Sequence, residues 1–311
     1  VTTIRDMDAG AFIHPALFYR DESTYLAGTV PFVLDGLAGG EPVAVAVPGR
    51  NLARIEDALG DAAGEVLLID MGDAGRNPGR IIPGVLRAFA DAHPGPVRII
   101  GEPIWAGRSE DEYPACAQHE ALINAAFAGR EATILCPYDT TSLAASVLAD
   151  AEATHPLLID DIGQTVSERY SPDDIVATYN APLSPSPAAA AMTFTVSELA
   201  RVRHFAFDFA ADAGLPGERL QDLVLAVGEL TGNSVQHGGG GGELRLWAEG
   251  GHLVCEVEDS GQLADPLAGR RPVPLSQVGG RGLLLVNHIA DLVRTYRTDS
   301  GTITRVYLRL P

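Results

Sequence analysis

Lysine is missing from this 311-residue sequence: all 22 basic residues are arginine. That excludes a G-x-x-x-x-G-K-[ST] phosphate loop, a Schiff-base lysine and a lysine general base. Cysteine is scarce. Cys116, Cys136 and Cys255 are too few and too far apart for a disulfide framework, and they form no zinc-ligand spacing. A reduced, cytoplasmic setting is expected. No apolar run reaches the roughly 18 residues of a membrane helix, so no membrane partner is expected. Val1–Gly10 lacks a basic start followed by an apolar stretch, so no secretory signal is expected either. Positive charge is short overall, with a formal net charge of -19. This argues against direct contact with nucleic acid, which needs a basic surface.

What is present suits a globular chain of two domains: 46% hydrophobic and 20% charged residues. The charge is uneven. Residues 1–191 hold 27 acidic residues against 11 Arg, and residues 192–311 hold 14 against 11. The C-terminal part is therefore the less hostile place for a polyanion. The clearest boundary is NAPLSPSPAAAA, Asn180–Ala191, whose spaced prolines favour an extended linker. No internal repeat is visible.

Upstream of the linker, short apolar runs read as buried strands at Val43–Val47, Val66–Ile69, Val97–Ile100, Thr133–Cys136 and Leu157–Ile159. Helical stretches lie between them near Leu52–Leu59, Ile81–His93, Ala117–Ala128 and Ser142–Ala151. Alternation of this kind predicts one α/β domain, residues 1–179, with a mainly parallel sheet. Downstream, Thr195-Val-Ser-Glu198 is a capping-box pattern. It opens a helix with Val196, Leu199, Val202, Phe205 and Phe209 on its apolar side. A second helix is expected from about Glu218 to Val235. The hairpin Glu243–Glu249 and His252–Glu258 follows, then a helix over Gly282–Asp291 and strands Val293–Thr298 and Thr302–Leu310. Helices set apart from a largely antiparallel sheet make residues 192–311 an α+β sandwich.

Three constellations carry chemistry. Glu229, Asn233 and His237 are spaced four and four, so they share one helical face. A carboxylate beside an amide oxygen suits Mg²⁺, though a solvated polar stripe would look the same. Asp259 ends a strand in Glu-Asp-Ser-Gly261, where it could accept from an exocyclic amine, or simply turn the chain. Gly279-Gly280-Arg281-Gly282 feeds a helix N-terminus, where backbone N–H groups and the helix dipole favour phosphate. Arg281 could add a charge-assisted contact.

In this order the three motifs resemble the GHKL ATPase superfamily, with its Bergerat fold. The ending GGRGLLLVNHIADLV is similar to its anti-sigma-factor serine kinase branch. The resemblance covers the whole of residues 192–311. It implies that ATP binds here, with Asn233 on Mg²⁺, Glu229 as general base toward a protein serine hydroxyl and Asp259 reading the adenine. Gly280 and Gly282 would wrap the phosphates. It also implies a sigma factor or an anti-sigma-factor antagonist as partner, and a homodimer. The chain departs from the family pattern D-x-G-x-G at Leu263, which keeps a non-catalytic binding module open as a reading. Residues Gln262–Val278 would be the lid over ATP. A sensor histidine kinase is the less favoured reading, because His204 is followed by Phe205 and no separate phospho-acceptor helix is apparent.

The N-terminal part resembles the MEDS sensory domain, a degenerate relative of RecA-like folds. The likeness rests on HPALFY (His14–Tyr19), FVLDGLAGGEPVAVAVP (Phe32–Pro48), GRNPGRIIP (Gly75–Pro83), CPYD (Cys136–Asp139) and His155-Pro156. It implies a small-molecule signal. His14, Tyr19, Cys136 and His155 are candidate sensor residues, with ordinary packing as the alternative for each. Asp70, at a strand end, could bind a cation or only make a turn. The strand Val43–Val47 leads into PGRN with no lysine and no glycine run, so no ATP is expected in this domain.

Overall fold

The computed structural model describes residues 12–273 and 279–311. It divides into two compact units, residues 1–179 and 180–311. Among the described residues no helix is long and apolar enough to cross a membrane.

The first unit is built on an eight-stranded, mostly parallel sheet. Its strands are β1 (Phe12–Ile13), β2 (Pro15–Tyr19), β3 (Val43–Val47), β4 (Leu67–Asp70), β5 (Val97–Gly101), β6 (Ala132–Asp139), β7 (Leu157–Ile159) and β8 (Gln164–Val166). The order is β4-β3-β5-β6-β2-β7-β8, and only β8 runs antiparallel to its neighbour. β1 and β2 are one line broken at His14 and Pro15: both run along β6, at Ala132–Thr133 and Cys136–Asp139. Proline has no N–H to give to the ladder, which places the break. The VAVAV of β3 is wholly buried, as an interior parallel strand covered on both faces should be.

Strand alternation divides the side chains between two layers. On one face Leu17, Tyr19, Val43, Val45, Val47, Ile100 and Leu135 pack with the helices Glu22–Ala38 and Gly49–Leu59. On the other lie Cys136 and its partner helix Tyr113–Ala126, which is backed by the Pro172–Thr178 helix through Ala117, Ala121 and Ile175. The helix Glu22–Ala38 was not expected, because Pro31 and two glycines interrupt its pattern. It is started by Asp21, whose carboxylate accepts from the Thr24 amide at 2.8 Å while Thr24 Oγ1 accepts from the Asp21 amide at 3.1 Å. β1, β2 and β8 were also not expected: β1 and β8 are too short to show a period, and β2 opens on Pro15, which reads as a break. Asp70 makes the plain turn: its side chain accepts from the Gly72 amide at 2.8 Å and caps Met71–Ala74.

The second unit carries a five-stranded antiparallel sheet, β12-β13-β11-β10-β9. The strands are β9 (Ala190–Thr195), β10 (Gly241–Glu249), β11 (His252–Asp259), β12 (Leu292–Thr298) and β13 (Gly301–Arg309). Helices Leu199–Asp212, Gly217–His237 and Gly282–Ile289 share a core with the face bearing Leu244, Leu246, Cys255, Val257, Val306 and Leu308. The capping box at Thr195 and Glu198 starts a 3-10 turn, Val196–Glu198, rather than the helix itself. Val196 is consequently exposed instead of facing the core.

The opposite sheet face is polar. Glu256 is fully buried and pairs with both Arg305 and Arg245, and the Arg305 guanidinium lies 4.9 Å from the Trp247 ring centre. The Pro/Ala-rich stretch packs within this unit. Ser184 O accepts from Arg305 Nη2 at 2.9 Å, Leu183 is buried, and Asn180 bonds both the carbonyl and the amide of Arg297.

Candidate functional site

The second unit holds a cavity of about 710 Å³. The helix Gly217–His237, the end of β11, the segment after it and the start of the Gly282–Ile289 helix all contribute walls. Its floor is apolar (Leu230, Val257, Leu283), and Asn233, His237, Asp259, Gly261, Gly280 and Gly282 line it. Six of the residues singled out in the sequence thus meet in one place. Their geometry follows from the chain: turns of one helix bring Asn233 and His237 to one side, while β11 delivers Asp259 across from them.

Asp259 is held in a fixed orientation. Its Oδ2 accepts from Ser234 Oγ at 2.6 Å and its Oδ1 from the Gly261 amide at 2.8 Å. Each carboxylate oxygen has two lone pairs, so acceptor capacity remains for an incoming amine. Thr302 Oγ1 donates to Gly261 O at 2.7 Å, fixing the turn after Asp259. Ser234, Thr302 and Thr304 line the cavity without having been singled out. The readable signal for the two threonines was the T-x-T alternation in the last strand, which sends both to one face.

Backbone conformation explains one glycine here and close approach another. Gly280 has φ +78°, a left-handed conformation that residues with a side chain rarely adopt. A Cβ at Gly282 would stand 2.5 Å from Glu229 Oε2 and 3.5 Å from Asn233 Nδ2. Glu229 is therefore packed behind the helix start, beside Asn233. Arg281 is the N-cap residue of that helix and its side chain is exposed, outside the cavity lining. Leu263 lines the cavity, and its carbonyl accepts from Arg297 Nη1 at 3.5 Å. Among the described residues no non-glycine has positive φ, so the backbone at Leu263 needs no glycine. Of the expected lid, Gln262–Val273 lines the cavity in part, anchored at Gly269 O by Asn287 Nδ2 at 3.0 Å; residues 274–278 lie outside the described residues. His204 is exposed, with Nδ1 against Ala200 O at 2.8 Å.

A nucleotide triphosphate fits this cavity in kind. There is apolar wall for a ring and a fixed carboxylate for an amine. Bare backbone replaces side chains at the helix start, where a Cβ would already crowd Glu229.

The candidate sensor residues of the first unit fall into two groups on opposite sheet faces. Tyr19 belongs with Glu102, Tyr25 and Asn51. Asn51 Nδ2 donates to both Glu102 oxygens at 2.9 and 3.0 Å, and Tyr25 Oη donates at 3.2 Å. Burial pushes the Glu102 carboxyl up to about 7, against these hydrogen bonds, which favour its charged form. His14, Cys136 and His155 meet on the other face, around Glu120, which the sequence reading passed over. The available signal was a lone carboxylate in a run, ACAQHEALINAA, with no other acidic residue and no arginine to pair with it. Burial and the neighbouring His155 lower the His14 pKa to about 4, and burial, with the Glu120 charge, raises the Cys136 thiol well above its ordinary value.

Comparison with known proteins agrees with this division. Residues 13–156 match the MEDS (methanogen/methylotroph, DcmR sensory) domain, and residues 192–308 match the histidine kinase-like ATPase domain. No curated protein matches the chain. Among solved structures, the RsbU and RsbW domains of Rv1364c from Mycobacterium tuberculosis are similar at 21% identity and a TM-score of 0.30, over 41% of this chain and 33% of that one. This chain therefore covers about a third of that relative's length. The SiaB-SiaC complex from Pseudomonas aeruginosa matches at 11% identity and TM-score 0.30, over 38% of this chain and 88% of that one. The histidine kinase AdeS from Acinetobacter baumannii matches at 10% and 0.23, over 44% and 73%.

Proposed function

Starting from a chain that carries a MEDS domain followed by a GHKL-like, histidine kinase-like ATPase domain, we propose that it is a signal-responsive regulator. Its second unit takes Mg-ATP in the 710 Å³ cavity and acts as an anti-sigma factor, as a serine kinase of an anti-sigma-factor antagonist, or as both. The observation that carries this reading is the convergence of Asn233, Asp259 and Gly282 on one cavity, with Glu229 directly behind Gly282.

Asp259 accepts from the adenine amine, steadied by Ser234 and Gly261. Asn233 offers a hard amide oxygen for the cation. The backbone from Gly280 to Gly282 presents N–H groups to phosphate. Mg-ATP, when bound, supplies the phosphoryl group and the charge that neutralises it. Glu229 accepts the proton of an incoming serine hydroxyl, so catalysis rests on positioning and electrostatics. The MEDS domain receives a small-molecule signal, and whatever effect signal binding has on partner binding, partner binding has the same effect on signal affinity.

Calorimetric titration with Mg-ATP tests the site. The parent should bind, and Asn233→Ala should bind much more weakly or not at all. Incubation of Glu229→Gln with labelled ATP and a cognate antagonist then separates the readings. Loss of acid-stable serine phosphate with ATP binding retained supports the kinase. Leu263 favours a second reading, a non-catalytic module, and an unchanged biological activity in Glu229→Gln would select it.

A further inference from the structure

The cluster on the far face of the first sheet is assembled from four separate elements. His14 sits at the break between β1 and β2, Cys136 in β6, His155 just before β7, and Glu120 on the Tyr113–Ala126 helix. Register brings them together: Ala16 pairs with Cys136, and Pro15 with Leu157. All four side chains are at most 1% exposed. One donor atom from each lies within 4.8 Å of the others.

The short distances have a pattern. Glu120 Oε2 is 3.4 Å from His14 Nε2 and 3.2 Å from His155 Nε2, and Cys136 Sγ is 3.4 Å from His14 Nε2. Donor atoms around a tetrahedral ion with bonds of about 2.0–2.3 Å stand about 3.3–3.6 Å apart. Among the described residues, no hydrogen bond of good geometry reaches either Glu120 oxygen or His155 Nε2. These are buried polar atoms that need a partner.

The outer hydrogen bonds settle which ring nitrogens point inward bare. His155 Nδ1 faces the Ala151 carbonyl at 2.8 Å, which can only accept, so Nδ1 carries the proton. Asn124 Nδ2 donates to Thr154 O at 2.9 Å and Ala121 O at 3.2 Å, which leaves its Oδ1 to accept from His14 Nδ1 at 3.2 Å. In the neutral rings both Nε2 lone pairs therefore face the Glu120 carboxylate. Lone pairs directed at one another across 3.2–3.4 Å repel unless a cation lies between them. Imidazoles fixed by Nδ1–H to a carbonyl are the usual outer arrangement of metal ligands.

We propose that His14, Glu120, Cys136 and His155 bind one divalent transition-metal ion of the zinc class in the core of the MEDS domain. Binding deprotonates the Cys136 thiol and releases that proton to solvent as the sulfur–metal bond forms. One thiolate and one carboxylate then balance the two positive charges, so the buried site is neutral overall. Four protein ligands, from the β1–β2 break, β6, the approach to β7 and a covering helix, make it a closed site that fastens those elements together. The sequence spacing hides it, since the ligands stand at 14, 120, 136 and 155. This inference is independent of the nucleotide site.

Cobalt(II) titration of the full chain, freed of metal by a chelator, tests it. About one equivalent should produce ligand-field bands with a near-ultraviolet thiolate-to-cobalt charge-transfer band, and zinc should bleach both. Cys136→Ser should abolish the charge-transfer band, while the double variant Cys116→Ser, Cys255→Ser keeps it. Asn124→Ala should retain the spectrum with affinity reduced about 10–100-fold. No charge-transfer band in the unaltered chain overturns the proposal. So does a band that survives Cys136→Ser or is lost from the double variant. The unaltered chain and the double variant keep the test decisive should Cys136→Ser fail to fold.

Discussion

Glu102 in the first unit and Glu256 in the second are both sealed from water, at 2% and 0% exposure, but by different means. Glu102 is surrounded by neutral donors: the amide of Asn51 and the phenols of Tyr19 and Tyr25. Glu256 is clamped between the guanidinium groups of Arg245 and Arg305. Neutral donors satisfy lone pairs without supplying opposite charge, so burial still pushes Glu102 toward its protonated form. A carboxylate between two cations stays paired, and its removal strands charge. The lesson concerns role: a buried carboxyl with neutral company is poised to change charge, and one between arginines is structural.

The sharpest way to break this contrast is Glu256→Ala. It leaves the buried Arg305 guanidinium without a carboxylate, while Arg245 keeps Glu243 and Glu258, and should cost about 3–5 kcal/mol. Each unit has its own tryptophan, Trp105 in the first and Trp247 in the second. Denaturant unfolding followed by fluorescence in a Trp105→Phe background therefore reports the second unit alone. A loss below about 1 kcal/mol would mean the clamp contributes nothing beyond surface pairing.

Glu102→Gln should act with the opposite sign. The folded carboxyl titrates near 7 against 4.5 in an ordinary setting. Between those values the folded state holds a proton that the unfolded state has lost, so stability falls as pH rises through the window and levels off above it. The groups facing Glu102 are Tyr19 on β2, Tyr25 on its helix, Asn51 with Arg54 behind it, and Asp139 at the end of β6. The penalty at pH 8 is roughly 3 kcal/mol at most. In a Trp247→Phe background the parent should lose stability relative to Glu102→Gln between pH 5 and 8; the His14 contribution, which runs the other way as pH rises, is common to both profiles and cancels in the difference. Parallel profiles would show that Glu102 is an ordinary carboxylate.

The two units were unequally legible. In the second, Glu229, Asn233 and His237 lie within nine residues on one helix, and Asp259 and Gly280–Gly282 follow in order. Local spacing there already implies a shared face. In the first, VAVAV announces a buried strand, but the Glu22–Ala38 helix hides behind Pro31, β1 behind its shortness and β2 behind its opening proline. Tyr19 and Cys136 both looked like sensor positions, but strand parity sends them to opposite faces, and parity matters only once the register with β6 is known. Glu120 and Glu102 escaped because their significance lies in long-range partners: His14 and His155 for one, Asn51 and Tyr25 for the other.

The cavity offers a gentler comparison, between a polar contact and an apolar one. Asp259→Asn replaces the charged acceptor proposed for the adenine amine and loosens the hold of Ser234 and Gly261. ATP affinity should fall about 10–100-fold by calorimetry, and the preference over GTP should shrink. An unchanged ATP-to-GTP ratio would remove Asp259 from base recognition.

Leu263→Gly should have the smallest effect. Leu263 is half-buried, part of the cavity wall, and its backbone already takes an ordinary conformation. Restoring the family's glycine therefore relieves no strain. It removes apolar surface worth about 1 kcal/mol and adds chain freedom costing about as much as a helix glycine, roughly 0.5–1 kcal/mol. Together these should weaken ATP binding by no more than about 30-fold and leave the ranking of nucleotides as it was. A gain in affinity would reverse the reading of this residue. Leu263 would then obstruct the site, and the second unit would be better understood as a nucleotide fold retained for holding a partner than as a kinase.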